Sequence, residues 1–336
     1  MQIKKGRTIG GLLLSGLLIW IVSRLDIDWQ EVIRIILTID PLFICVGYLL
    51  MFGVFFCAAL RWMLVVKELD TLARNRSYFY FLRYAVLGGV SEILFLGALG
   101  NIGVKSMALK IDGQVPLTKG TYSVLFDQLI TLLINTFFLI PACLFLAKMI
   151  SLAQGVWLAA TLLLLFFLLF WVCNRFMIGS VMWLYSVALQ ALAFLPFAKN
   201  RLPEQATRKD QFAISRAASL KVFLVAIMKY FLLAAFSFTV ALAVGISLPF
   251  SIFLLSEGAV MTLVTFPILP GNVGVSEAGW YGVLSLVGIS SQASLMAFMI
   301  TSRLLFNLSV LLVGFTVWLI HFLCFREERE SAELRL

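Results

Sequence analysis

Residues 269–277 read LPGNVGVSE and lie between two apolar runs, 260–269 and 278–287. Pro270, Gly271, Asn272, Gly274 and Glu277 are poor material for a helix that faces lipid. Backbone groups released by a helix break find no water in hydrocarbon, so a break at this depth has to face protein or a wet cavity. An echo stands in the first half of the chain, where residues 99–106 read LGNIGVKS. The shared core is Gly-Asn-Ile/Val-Gly-Val, once in each half. Paired interruptions of this kind point to the central binding site of a transporter.

The sequence around these breaks is 62% hydrophobic and only 13% charged, with a mean hydropathy of +1.03. That balance excludes a soluble globular domain and predicts an all-α polytopic membrane protein, one integral membrane domain over residues 1–336. The largest polar island, 199–221, is too short for a soluble catalytic domain. A net charge of +9 in a soluble protein would suggest nucleic acid. Here it reads as basic loops against anionic headgroups, with no nucleic-acid partner. Cys45, Cys57, Cys143, Cys173 and Cys324 show neither metal-ligand spacing nor a disulfide framework, and a lone His321 builds no metal site. No metal and no cofactor are expected. The sequence has no P-loop, no HExxH, no CxxC and no Ser/His/Asp order.

Residues 1–25 resemble a signal peptide but show no clear cleavage site, and read as a retained first span. Six full spans are expected, at about 8–24, 41–66, 120–147, 152–172, 222–244 and 293–325, while 176–197 suits either a surface helix or the bundle interior. In 28–39, Trp29, Val32, Ile33, Ile36 and Leu37 recur at helical spacing and predict a short amphipathic helix in the interface. The basic segments are the N-terminus, 67–83 and 199–221. Segments 25–40, 147–151, 245–248 and 288–292 carry only Arg34 and Lys148 as basic residues. The positive-inside rule puts the first set in the cytoplasm and the second outside. The two sets stay apart only if each break goes in and returns, as a re-entrant hairpin or a pair of short helices. The first then enters from the cytoplasm and the second from outside, as in an inverted repeat of roughly 41–150 and 220–325, with both termini cytoplasmic.

A charge inside a span costs at least ~2.5–3.5 kcal/mol on insertion scales, so it defaults to a paired or functional role. The residues concerned are Arg61, Glu92, Lys105, Asp127, Lys229, Glu257, Glu277 and Arg303. Glu277 follows the glycines of the second break and suits the positive end of the returning helix. Arg303 can pair with Glu257 or Glu277, or hold a phosphate; a closed salt bridge that locks the hairpin fits the residues equally well. Glu92 and Lys105 flank the first break, and Asp127 and Gln128 follow in the next span. Asn101 and Asn272 can bond freed carbonyls or a ligand hydroxyl, and amides at the start of a half-helix favour an anion. Arg61-Trp62 and Lys229 read as side chains that snorkel to the headgroups.

The run FPILPGNVGVSEAGW, with Arg303 after it, resembles the PxxPGGxGxxE signature of the lysylphosphatidylglycerol synthase transmembrane-region family, which includes the flippase half of the multiple peptide resistance factor. The resemblance extends over most of the chain. Pro267, Pro270, Gly271, Gly274 and Glu277 take signature positions, Arg303 matches the later arginine, and Arg61-Trp62 matches the family's Arg-Trp pair. The first half departs from the pattern: Leu99, Asn101 and Val104 replace proline, arginine and glutamate, and Asp127-Gln128 replaces Glu-Arg. The resemblance implies movement of a lipid headgroup between leaflets. Without the soluble aminoacyl-transferring domain, lysyl transfer is not expected from this chain alone.

The expected function is therefore a lipid translocase of a bacterial-type inner membrane. Its substrate would be a phospholipid or a polyprenyl- or sugar-linked lipid. The headgroup would be held between the two hairpins by Asn101, Lys105, Glu257, Asn272, Glu277 and Arg303. Two other readings stand beside it. One is a membrane-embedded transferase with Glu92 or Asp127 as the catalytic carboxylate; the other is a non-catalytic partner of a lipid-biosynthetic enzyme.

Overall fold

The computed structural model describes residues 27–70, 72–94, 98–172, 214–265 and 274–333. Ten α-helices form among them, with no strand. The expected span at 8–24 and the segment 176–197 lie outside the described residues.

The first helix, α1 (Trp29–Leu37), starts where Asp28 accepts the N–H groups of Gln30 and Glu31 at 3.0 and 3.1 Å. This cap replaces intrahelical partners that the first turn lacks. One stripe, Trp29, Ile33 and Leu37, is 46, 55 and 79% exposed, while Val32 is buried. The predicted interfacial helix is thus present, two residues shorter at its C-terminus than the pattern suggests. α2 (Pro41–Leu69) follows an Asp40 cap with Pro41 at its first position, a place where a missing N–H costs nothing.

After a 3-10 turn (Leu72–Asn75) come the short pair α3 (Tyr78–Leu94) and α4 (Ala98–Ile111), then α5 (Leu117–Leu146) and α6 (Leu152–Val172). The rest is α7 (Arg216–Ala243), the short pair α8 (Phe250–Thr265) and α9 (Val275–Leu286), and α10 (Gln292–Glu333). Four helices are long and apolar enough to cross a membrane: α2, α5, α7 and residues Gln292–Ile320 of α10. α6 contributes a shorter apolar stretch, Leu152–Leu168. The chain is an integral membrane protein. Its charged tail continues α10 as helix, and the last turns of the basic segment 199–221 already belong to α7.

Long, short, short, long is the order in both halves, and the side-chain contacts tell which way each short pair runs. Arg76, before α3, bonds the carbonyl of Asp112, after α4, and the Tyr84 hydroxyl donates to the Asp112 carboxylate. The same face holds the Lys119–Asp70 ion pair at 3.0 Å, joining the start of α5 to the end of α2, and the Ser215 N–H donating to Glu68 at the start of α7. So α3 leaves this basic face and α4 returns to it. At the other end, rings of Phe253 (α8), Trp280 (α9) and Phe298 (α10) meet in tilted and edge-on pairs with centroids 5.5–6.5 Å apart. The start of α8 therefore lies beside the start of α10, next to the first half of α2, where Gly47 touches Phe236 and Leu305. The α8–α9 pair dips in from the face opposite the first. At ~1.5 Å per residue none of the four short helices exceeds roughly 25 Å, below the ~30 Å of a hydrocarbon core, which is consistent with helices that turn back.

The core is built on close helix contacts. α2 packs along α7, and α5 along α8, with α3 and α10 in the corresponding place on the other side. Gly258 is where α8 presses on α5: a Cβ there would sit 2.5 Å from Phe138 Cβ and 2.7 Å from the Asn135 carbonyl. Small residues permit such approach in helix pairs that lack a hydrophobic drive toward each other in lipid. Gly258→Ala is expected to cost about 2 kcal/mol through overpacking against main chain. Gly282→Ala, whose Cβ meets nothing within 4 Å, is expected to be neutral or to gain up to ~1 kcal/mol of helix propensity. Thermal unfolding of the two purified variants in detergent checks this contrast.

Candidate functional site

Arg61 and Asp127 face each other across α2 and α5 with Nη2 and Oδ1 2.7 Å apart, and their side chains are only 2 and 3% exposed. The expected snorkelling of Arg61-Trp62 is overturned. Trp62 is fully buried, and its indole N–H donates to Ser123 Oγ at 3.2 Å, which in turn donates to the Gly120 carbonyl at 2.7 Å. A guanidinium two turns inside a span has no reason to bend toward headgroups when a carboxylate lies within reach.

Above this pair lies the first hairpin. Lys105 on α4 is buried and its ammonium stands 5.4 Å from the centre of the Trp62 ring. Asn101 donates its side-chain N–H to Glu92 Oε1 at 3.0 Å, and its own Oδ1 is buried without a partner. The two helices are close because Gly88 and Gly100 leave room: a Cβ on Gly88 would lie 2.6 Å from Asn101 Oδ1, and one on Gly100 2.5 Å from Ser91 Oγ. Lys229, partly buried on α7, completes the group, within electrostatic range of Arg61, Lys105, Glu92 and Asp127. Gln128 is partly buried beside Asp127.

The first Gly-Asn-Ile-Gly-Val copy was expected at the interruption itself. It lies instead in the first turns of α4, which starts at Ala98. Asn101 thus acts from a helix across the hairpin rather than from a loop. In the second copy, Pro270, Gly271 and Asn272 lie outside the described residues. Gly274 has φ +86°, a left-handed conformation that favours glycine, and stands as the N-cap of α9. Glu277 Oε2 accepts the Gly274 N–H at 2.7 Å and the Ser276 hydroxyl at 3.0 Å, while Oε1 lies 3.5 Å from Arg303 Nε. This carboxylate caps the returning helix and braces it to α10, the pairing expected for Arg303 and one of its two candidate acids.

Glu257, the other candidate acid, stands apart. It is 1% exposed on α8, and Ser237 on α7 donates to its Oε2 at 2.8 Å. Sequence reasoning placed Trp62 at the headgroups instead of in the core, and it missed Ser123 and Ser237. A single serine in the apolar run FSF carries no signal of its own.

A profile of the family described as lysylphosphatidylglycerol synthase TM region matches residues 8–314. The chain belongs to that family. The match takes in both hairpins, the Arg61–Asp127 pair and Arg303, and ties the chain to membrane-lipid chemistry. A search among curated proteins returns no match. Among the described residues no group of His, Cys, Asp and Glu is placed to hold a metal ion.

Because the family's Arg-Trp position is a buried ion pair here, Asp127→Asn is expected to strand a charge and lose about 3–5 kcal/mol of stability. Replacing both Arg61 and Asp127 by leucine is expected to recover much of that loss. A double-mutant cycle on thermal stability measures it.

Proposed function

We propose that this protein moves a phosphate-bearing lipid headgroup between the leaflets of a bacterial-type inner membrane. The observation that carries the reading is a charge count. Arg61, Lys105 and Lys229 are three cations against the two carboxylates Glu92 and Asp127. With every group ionised, one positive charge is left over inside the apolar bundle. An uncompensated charge in such surroundings is costly and is relieved by loss of a proton or by a counter-ion; a monoanionic phosphodiester would supply the counter-ion.

Depth supports the same reading. Along their helices, Arg61, Asn101 and Asp127 stand roughly 12–15 Å from the basic face, and Glu277 and Arg303 roughly 14–16 Å from the opposite one. The hairpin tips would then share the middle of the membrane. Lys105 would hold the phosphate, Asn101 Oδ1 would accept from a headgroup hydroxyl, and Arg303 would offer a second cation as the headgroup passes. Acyl or prenyl chains would stay in lipid. In this proposal residues 41–150 and 220–325 are the two halves of an inverted repeat, and the basic face with both termini is cytoplasmic.

The test is reconstitution into vesicles with a fluorescent phosphatidylglycerol in one series and a labelled polyprenyl-phosphate sugar in another, followed by quenching of the outer leaflet. Lys105→Met is expected to slow transfer by at least ~10-fold, equivalent to ~1.4 kcal/mol. Arg303→Ala and Glu277→Gln are expected to slow it too. Unchanged rates in all three variants would overturn the site.

A further inference from the structure

We propose that Glu257 is a proton-binding carboxyl, neutral while α8 is packed and ionised when its surroundings admit water, so that each cycle of the protein carries one proton. The inference starts from what surrounds the side chain. Glu257 is 1% exposed, Ser237 gives its Oε2 one hydrogen bond, and Oε1 has no partner. No cation lies within ion-pair distance of it among the described residues. An isolated carboxylate in an apolar interior takes up a proton rather than stay charged, and ionisable groups at this depth commonly serve as proton relays.

The neighbours on every packed helix agree. On α7, Tyr230 is the nearest titratable group, and its hydroxyl already donates to the Leu254 carbonyl at 2.6 Å. Lys229 and Ser237 are eight positions apart on α7, roughly 12 Å along its axis. On α5, which presses on Gly258 through Asn135 and Phe138, the charged residues are Lys119 and Asp127, the latter also eight positions from Asn135. On α9, Glu277 is engaged by Gly274, Ser276 and Arg303, and Tyr281 donates to Gln292. α6 has no charged residue, and on α10, which meets α8 through the rings of Phe298 and Phe253, the charge inside the span is Arg303, which faces Glu277. Nothing on these helices neutralises Glu257, whereas Glu277 and Asp127 each have an arginine.

Position gives the carboxyl a use. Glu257 is seven residues into α8, roughly 10 Å from the face opposite the basic one. Local loosening of α8 from α7 and α5 would wet it from that side. A proton enters on Oε1 there, is held while the helices are packed, and leaves when the packing opens toward the basic face. No oxidant or reductant is involved. Only what the proton drives rests on the translocase reading; the proton site itself does not.

The experiment uses the full chain in phosphatidylethanolamine/phosphatidylglycerol membranes. Infrared difference spectra at neutral pH are expected to show the carbonyl stretch of a protonated carboxylic acid, lost in Glu257→Gln and kept in Glu277→Gln. Ser237→Ala keeps the carboxyl and removes its hydrogen bond, so the band is expected to persist at higher frequency. No difference between the wild type and Glu257→Gln overturns the proposal. In the same vesicles, with fluorescent phosphatidylglycerol as probe, a one-unit pH gradient is expected to shift the steady-state leaflet ratio by up to about tenfold in the wild type, a factor of ten per 1.36 kcal/mol. Glu257→Gln is expected to abolish that shift. Probe movement indifferent to the gradient overturns the coupling while leaving translocation standing; a band present with an immobile probe sustains the proton site and counts against the translocase.

Discussion

A guanidinium and a carboxylate sealed together between α2 and α5 set the terms for the rest of the first half. Desolvating both charges costs several kcal/mol per ion, and their attraction repays it only in good geometry with added hydrogen bonds. Here Arg61 Nη2 and Asp127 Oδ1 are 2.7 Å apart while Arg61 Nε is buried without a hydrogen-bond partner, and the adjacent Trp62 is tied to Ser123 and so to the main chain of α5. The pair joins the two long helices that flank the α3–α4 hairpin, and Trp62 offers its ring face to Lys105. That contact suits an ammonium with little water around it, since cation–π attraction strengthens on desolvation.

The two hairpins are built differently around their returning helices. A helix that stops inside a membrane leaves amides and carbonyls without partners. In the second half a side chain supplies the answer: Glu277 reaches back to the Gly274 N–H, and the left-handed glycine aims that N–H at it. In the first half the α3 and α4 backbones approach so closely that Gly100 abuts Ser91, and Asn101 crosses to Glu92. The shared Gly-Asn-Ile/Val-Gly-Val pattern is therefore read differently in the two halves. It begins a helix shielded by a neighbour in one and precedes a capped helix start in the other.

Much of this was legible from residues alone. Runs of apolar residues located α2, α5 and α6 to within three positions, because a span must be about the length of the hydrocarbon it crosses; α7 starts six residues before its expected span and α10 runs eight residues past its own, since polar turns extend both beyond the apolar run. The charge asymmetry of the loops required both breaks to return to their own side, and the contacts of Arg76, Asp112 and Lys119 run that way for the first. Arg303 with Glu277 was one of two pairings open to the sequence. What could not be read was partnership across helices. Whether Arg61 bends outward or inward depends on a carboxylate sixty-six positions away, and Ser237 acquires meaning only because α7 brings it to Glu257. Spacing within one helix reports which face a residue takes; it says nothing of which helix will lie against that face.

The order of long and short helices is the same in both halves, but the charge is not. Lys105, Arg61 and Lys229 crowd the first hairpin, while the second hairpin carries Glu257 and Glu277 with Arg303 as the cation beside Glu277. A passive, symmetric conduit for one anionic headgroup would gain from equal cation density at both tips. A protein that handles an anion near one tip and a proton near the other has reason to divide them: a bound phosphate beside Glu257 would raise the cost of ionising it, and a cation there would hold it charged. Keeping Glu257 with only a serine for company preserves its ability to lose and regain a proton. In the proposed reading, the contrast between a carboxylate paired with arginine at Asp127 and an unaccompanied one at Glu257 is what would separate the two tasks.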